Sequence, residues 1–275
     1  MNTLYISDLD GTLLNENAEL SQFTIDTLNS LIKEGMNFTV ATARSAATVD
    51  RILKELHLPL PAILMNGVLI YDLSTKYYIN IEYLSKDSLN FIYHVLNDFQ
   101  LSGFMYEVKN HALATYYERL ANKAQKKFYK ERVNKYQKSF TQVSDFAMVS
   151  TEYIIYFSIL DTKVHLEAAY QILKNRSDIA LAYYKDIYSE EELWYLEIFS
   201  INATKYNAVQ YLKNKYHYEK IIGFGDNLND LPLFRACDVT CAVSNANGEL
   251  KAAATHIIGS NTEDGVASWL RRSYP

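Results

Sequence analysis

Glycine and proline are scarce in this 275-residue chain, with 9 and 4 copies. Average usage would give about 19 and about 14. That excludes collagen-like and Gly/Ser-rich sequences and argues against long disordered linkers. Cysteine is scarcer still. Cys237 and Cys241 are too few for a disulfide framework and read as buried, inert thiols. No apolar run approaches the roughly 18 residues that a membrane span needs. The first twelve residues hold Asp8 and Asp10 and no basic segment, so no secretory signal is expected and a cytoplasmic location is. Net charge is −5, which gives no reason to expect a nucleic-acid partner. What is plentiful is bulk: hydrophobic residues make up 49%, with 23 Tyr and 12 Phe. A chain of this size can bury a substantial core in one or two domains.

Between Gly103 and Gly223 there is neither glycine nor proline, so the punctuated ends and the unpunctuated middle read as different regions. At the N-terminal end, strands are expected at Thr3–Ser7, Asn37–Ala41 and Ala62–Met65. Helices opened by Ser21 and Ser45 alternate with them. At the C-terminal end, helices over Thr204–Tyr216, Leu228–Arg235 and Glu263–Arg271 alternate with strands over Lys220–Phe224, Val239–Val243 and Thr255–Ile258. Strand–helix alternation predicts βαβ units on a parallel sheet. The expected class is α/β, a Rossmann-like core of residues 1–81 and 201–275. An inserted α+β domain of residues 82–200 is expected to carry a long basic helix over Tyr117–Lys138, with moving parts near Glu82 and Ser200.

Chemistry-bearing residues fall at the expected strand ends, where open parallel sheets bind ligands. Asp8 and Asp10 follow the first strand. Alone, such a pair also fits a loop or a helix cap. Asp226, Asn229 and Asp230, with Asn227 between, follow Gly225 after another strand; capping by Asp226 or Asn227 explains one acid there but not the second acidic loop. Thr42, in Ala41–Ser45, offers a hydroxyl beside helix amides that suit an anion, or is part of an ordinary strand-to-helix loop. Lys205 opens a helix, where a cation opposes the macrodipole. Carboxylates from two strand ends suit a hard divalent cation, Mg²⁺, and a hydroxyl, amides and a lysine suit phosphate.

At these residues the sequence resembles the haloacid dehalogenase-like phosphatases, specifically the Cof-type hydrolases with a large α/β cap after the third core strand. The motifs are Asp8-Leu9-Asp10-Gly11-Thr12, Thr42, Lys205 and Gly225–Asp230. Asn245-Ala246, Lys251 and Asn261–Val266 also match the C-terminal pattern. The resemblance implies that Asp8 is the nucleophile and Asp10 the general acid and base. It implies Mg²⁺ held by the Asp8 carboxylate, the Asp10 carbonyl and Asp226. Phosphate contacts would come from Leu9, Thr42, Ala43, Lys205 and Asn229, with Asp230 in support. Three positions depart from the usual pattern: Ala43, Tyr206 and Ser244 stand where glycine is common. They leave the catalytic groups in place and bear on rate and specificity.

The implied activity is Mg²⁺-dependent hydrolysis of small phosphorylated metabolites, such as sugar, nucleotide or cofactor phosphates, by a monomer or homodimer without nucleic-acid or membrane partners. A phosphomutase with the same cap and a non-enzymatic phospho-ligand sensor are the alternatives. Residues 109–138 carry nine Lys/Arg against Glu118 and Glu131. This reads either as a solvated helix face, with Tyr117, Leu120, Ala124 and Phe128 inward, or as a surface that attracts anionic substrates. Tyr183, Tyr184 and Tyr188 read as packing residues.

Overall fold

The structure is a computed structural model that describes residues 2–149, 152–186 and 192–274; Tyr188 lies outside them. The chain opens with β1 (Thr3–Ser7), α1 (Gln22–Lys33), β2 (Asn37–Val40) and α2 (Ala46–Ile52). It continues through β3 (Ala62–Leu64), β4 (Leu69–Asp72) and β5 (Tyr77–Ile81). The middle contains α3 (Lys86–Asp98), β6 (Phe104–Lys109), β7 (Ala112–Tyr117), α4 (Lys123–Tyr136) and β8 (Phe140–Gln142). It closes with β9 (Ile154–Thr162), α5 (Lys163–Leu173), β10 (Ile179–Lys185) and β11 (Leu193–Ser200). The last stretch is α6 (Lys205–Tyr216), β12 (Lys220–Gly225), α7 (Leu231–Arg235), β13 (Val239–Val243), α8 (Gly248–Ala252), β14 (His256–Ile258) and α9 (Gly265–Ser273). Contacts divide the chain into one unit of residues 1–80 and 204–275 and a second of residues 81–203.

The first unit is built on a parallel sheet in the order β14-β13-β12-β1-β2. Its central strands are almost wholly apolar and buried, as strands covered on both faces must be. Helix α1 packs with α9, and α6 with α7. Ser21 caps α1 by accepting from the Thr24 amide, as its position before the apolar face predicts. Ser45 stands at the cap position of α2, but its side chain makes no capping bond. The third strand departs from the simple expectation. β3 meets the core sheet at a parallel bridge from Ile63 to Ala41 and pairs antiparallel with β4 in a three-stranded sheet completed by β5. β4 and β5 are short strands with no glycine or proline between them, so nothing in the sequence punctuates their turn.

The second unit is a six-stranded sheet in the order β10-β11-β9-β6-β7-β8, antiparallel except for β7 beside β8. One face buries Met105, Phe157, Ile159 and Ile198 against Leu89, Ile92 and Leu96 of α3 and Leu166 and Leu173 of α5. The basic stretch is shorter than the expected helix over Tyr117–Lys138. Tyr117 ends a strand, and α4 begins only at Lys123, where Asn122 caps it by accepting from the Gln125 amide. Its inward side is therefore set by Gln125 and Phe128, the latter 5.0 Å from the Phe104 ring. Tyr117 and Leu120 lie before the helix. Lys123, Lys126, Lys127 and Lys130 are exposed along its outer side.

Alternation puts Tyr106, Tyr156, Ser158 and Glu197 on the sheet face opposite Phe157 and Ile198. Glu197 is buried, and its Oε2 has no hydrogen-bond partner. Burial pushes this carboxyl up to about 7 from an ordinary 4.5, with the phenols of Tyr156 and Tyr184 offsetting part of the rise. The folded state thus holds a proton that the unfolded chain releases. The resulting stabilisation is complete below about pH 4.5, declines as pH rises toward 7, and is worth about 3 kcal/mol in all. Urea titrations at pH 5 and pH 8 are expected to show that loss in the wild type and a smaller one in Glu197→Gln. Equal losses in the two proteins would rule out Glu197 as the source.

Candidate active site

Register brings three strand ends level. Ser7 at the end of β1 pairs with Phe224 of β12 on one side and with Val40 of β2 on the other. The residues that follow are Asp8, Gly225-Asp226 and Ala41-Thr42. Main-chain bonds extend the ladder one step further, from the Asp8 amide to the Phe224 carbonyl and from the Ala41 amide to the Ser7 carbonyl. Past Asp8 the chain winds into a single wide turn over Leu9–Leu13. Gly11 in that turn has φ +72°, and a Cβ there would lie 2.5 Å from Asp226 Oδ2. Only glycine satisfies both the backbone and the approach of the second acidic loop.

Lys205 ties the loops together. It is the first residue of α6, after Thr204, whose hydroxyl caps the helix by accepting from the Asn207 amide. Its Nζ donates to Asp8 Oδ1 and to Asp230 Oδ1, both at 2.6 Å. Lys205, Asp8 and Asp230 are 1%, 5% and 0% exposed. Burial alone pushes the ammonium down, but Asp230 and Asp8 outweigh it and hold it above the ordinary lysine value. Lys205 is therefore neither a solvated surface charge nor a simple conflict with the helix dipole: two carboxylates neutralise it. Asp8 is pushed well above the carboxylate range by burial, against the pull of Lys205 and with Asp230 and Asp226 adding to the rise.

Asp226 is raised to about 7, first by burial and then by Asp230, while the Thr12 hydroxyl, donating to Oδ1 at 2.9 Å, acts the other way. Asp230 has both oxygens engaged. Oδ1 takes Lys205, and Oδ2 accepts from the amides of Asp226 and Asn227 at 3.0 and 3.2 Å. Asn227 and Asp230 thus form a reciprocal cap on the short turn Leu228–Asp230. Of the two cap candidates, Asn227 fills the position.

Carboxylate oxygens of Asp8, Asp226 and Asp230 lie within 4.8 Å of one another. The donors are all hard oxygens, and the burial and neighbouring acids that raise Asp8 and Asp226 disfavour bare negative charge, which a divalent cation offsets. The residues fit such an ion.

Other expected site residues sit around this cluster with less engagement. Asp10 turns its carboxylate to Arg44, whose Nε and Nη2 donate to Oδ2 at 2.7 Å and Oδ1 at 2.5 Å. Thr42 is buried, and its Oγ1 accepts from the Arg44 amide. Leu9 is fully buried, whereas Ala43 and Asn229 are exposed. Arg44 belongs to the Ala41–Ser45 segment that the sequence marks, but the sequence assigns it no role.

Asn245 also gained a visible role. Its Nδ2 donates to the Gly11 carbonyl at 2.8 Å, while its Oδ1 accepts from the Asn261 amide at 3.0 Å. Asn261 Nδ2 in turn reaches the Leu14 carbonyl at 2.9 Å. The loops that carry Asn245 and Asn261 therefore hold the Leu9–Leu13 turn at its middle and just past its end.

Known proteins resemble this chain over nearly its whole length. Pyridoxal phosphate phosphatase YbhA of Escherichia coli is 24% identical over 274 residues, covering 96% of this chain and 95% of its own. A haloacid dehalogenase-like hydrolase from Bacteroides thetaiotaomicron superposes with a TM-score of 0.81 at 22% identity over the whole of both chains. A Thermotoga maritima structure does so with a TM-score of 0.80 at 23% identity, covering 100% of this chain and 98% of that one. The profile for haloacid dehalogenase-like hydrolases matches residues 5–270, so the chain belongs to the haloacid dehalogenase-like hydrolase family.

Proposed function

We propose that this hydrolase is a Mg²⁺-dependent phosphatase of small phosphorylated metabolites that works through an aspartyl-phosphate on Asp8. The observation that carries the proposal is the buried Asp8–Lys205–Asp230 chain with Asp226 beside it. The name of the Escherichia coli relative supports a phosphate monoester substrate.

Asp8 presents a carboxylate at the end of a rigid strand, restrained through Oδ1 by Lys205. Its other oxygen attacks phosphorus as the ester P–O bond breaks. The departing alkoxide takes a proton from Asp10, which then accepts one from the water that attacks the aspartyl-phosphate and frees inorganic phosphate. Arg44 holds both Asp10 oxygens, so Asp10 exchanges that partner for the leaving group when substrate binds. The carboxylates of Asp8 and Asp226 and the carbonyl of Asp10 would hold Mg²⁺, which when bound offsets negative charge between nucleophile and phosphoryl group. Asp230 has no oxygen free of hydrogen bonds and serves to fix Lys205 and the Asp226 loop. Thr42, Lys205, Asn229 and the amides of Leu9 and Ala43 would take the phosphoryl oxygens.

The test is phosphate release from a panel of metabolite esters and p-nitrophenyl phosphate. Turnover is expected with Mg²⁺ and is expected to vanish with a chelator. Interconversion of phosphate isomers without free phosphate would favour a mutase. Tight ester binding with no reaction on any panel member would favour a sensor.

A further inference from the structure

The six-stranded sheet ends in two unlike edges. β8 is three residues long, whereas β10, Ile179–Lys185, is seven. Long exposed edges are normally blunted by proline, charge or a bulge, because their free main-chain groups pair with other chains. β10 carries no proline, no charge before Lys185 at its last position, and no break in its register with β11. From Ala180 onward it is half-buried or exposed, while β11 beside it is largely buried. The Ile201 amide donates to the Asp178 carbonyl at 3.2 Å, and the Asp186 amide to the Leu193 carbonyl at 2.8 Å. Both pairs continue the β10–β11 ladder, so by antiparallel alternation the even-numbered residues of β10 bond to β11. Ile179, Leu181, Tyr183 and Lys185 therefore turn their N–H and C=O groups outward. Among the described residues, no main-chain partner meets them there.

The strand is complementary to itself. A two-fold axis normal to the sheet at Ala182 sets two copies of β10 antiparallel, with Leu181 opposite Tyr183, Ile179 opposite Lys185 and Ala180 opposite Tyr184. The outward residues then fall in the hydrogen-bonded pairs, so each outward N–H and C=O gains a partner. Ala182 meets its own copy in a non-hydrogen-bonded pair, the closer kind at about 4.5 Å between Cα atoms, where a small side chain fits. Charge agrees with this axis. β9 and β10 both run antiparallel to β11, so α5, which links them, runs back over the sheet antiparallel to β10. Its side above β10 is marked by Tyr183, whose hydroxyl donates to Glu167 Oε2 at 3.3 Å and whose ring stacks on that of Tyr170, with centroids 4.3 Å apart. Lys174 lies further along the same side, its Nζ 5.8 Å from the Tyr170 ring centroid. The axis reverses this order in the second copy and brings Glu167 of each chain toward Lys174 of the other, a complementarity that fixes register.

We propose that β10 is a self-association edge: two copies of this chain pair antiparallel through β10 and merge their six-stranded sheets into one, with Glu167 and Lys174 facing each other across the axis. The occupant is a second copy rather than an unrelated strand, because one axis satisfies the main-chain groups, the side-chain pairs and the charges together.

Sedimentation equilibrium of the full chain over about 1–100 μM is expected to show twice the chain mass at the upper end. Leu181→Pro removes one outward N–H and sets a ring against the incoming strand, a change that an edge strand tolerates because no bond to β11 is lost. This variant is expected to stay monomeric throughout while still unfolding cooperatively. Lys174→Glu alters only an exposed side chain. It puts like charges across the axis and is expected to weaken the dimer about 10-fold, and adding Glu167→Lys to the same chain is expected to restore it. If Leu181→Pro does not fold, the two charge variants decide alone. A wild type that stays monomeric at every concentration overturns the proposal. So does a dimer that survives in folded Leu181→Pro, that Lys174→Glu leaves unchanged, or that Glu167→Lys fails to restore, since each places the contact elsewhere.

Discussion

Asp8→Asn is expected to lower kcat by roughly 10⁴-fold or more, because it removes the nucleophile rather than one of several supports. The same substitution is expected to leave the fold intact. Asp8 is buried and pushed upward by burial and by two neighbouring acids, so its charge is held in the site against the local environment. Lys205 keeps Asp230 as a partner in the variant. A neutral amide of the same shape should therefore hold or raise the melting temperature, the stability–function trade expected of a strained site. Residual activity within about 10-fold of wild type would remove Asp8 from the chemistry.

Lys205→Met is expected to damage both stability and activity. The substitution leaves two carboxylates, 5% and 0% exposed, without their cation. Breaking a buried pair in this way costs about 3–5 kcal/mol. In a unit of this size that lowers the melting temperature by about 10 °C. Adding Asp230→Asn to the variant should recover part of the loss, since one of the two stranded charges is then gone. Calorimetry of the two single variants and the double variant checks this. A fully exposed lysine of no structural consequence would show a shift of less than about 2 °C, the size expected from half a kcal/mol.

Much of this site was legible in the sequence for a simple reason. In a parallel sheet the strand ends converge, so Asp8, Thr42 and Asp226, each just past an apolar run, had to be neighbours once the runs were strands. Lys205 was legible only as an oddity, a cation at a helix start; its two carboxylate partners are 197 and 25 residues away in sequence. The role of Arg44 was not legible. Which acid an arginine will grip depends on side-chain geometry that spacing does not encode. The inserted region was misread at Tyr117 because its periodicity runs on from strand into helix, with no glycine or proline at the break. There the capping residue Asn122, rather than the hydrophobic pattern, sets the boundary.

The glycine shortage also has a physical sense. Gly11 and Gly67 combine a positive φ with a close approach, Gly11 to the Asp226 carboxylate and Gly67 to Thr204 at the start of α6.

The central claim is that phosphate passes through Asp8. The most direct measurement is mass analysis of proteolytic peptides from enzyme acid-quenched during turnover with Mg²⁺ and a phosphate ester. One phosphoryl group is expected on the peptide that contains Asp8, absent when substrate is omitted and absent in Asp8→Asn. Phosphate release at full rate with no phosphoryl group on that peptide at any quench time would contradict the account.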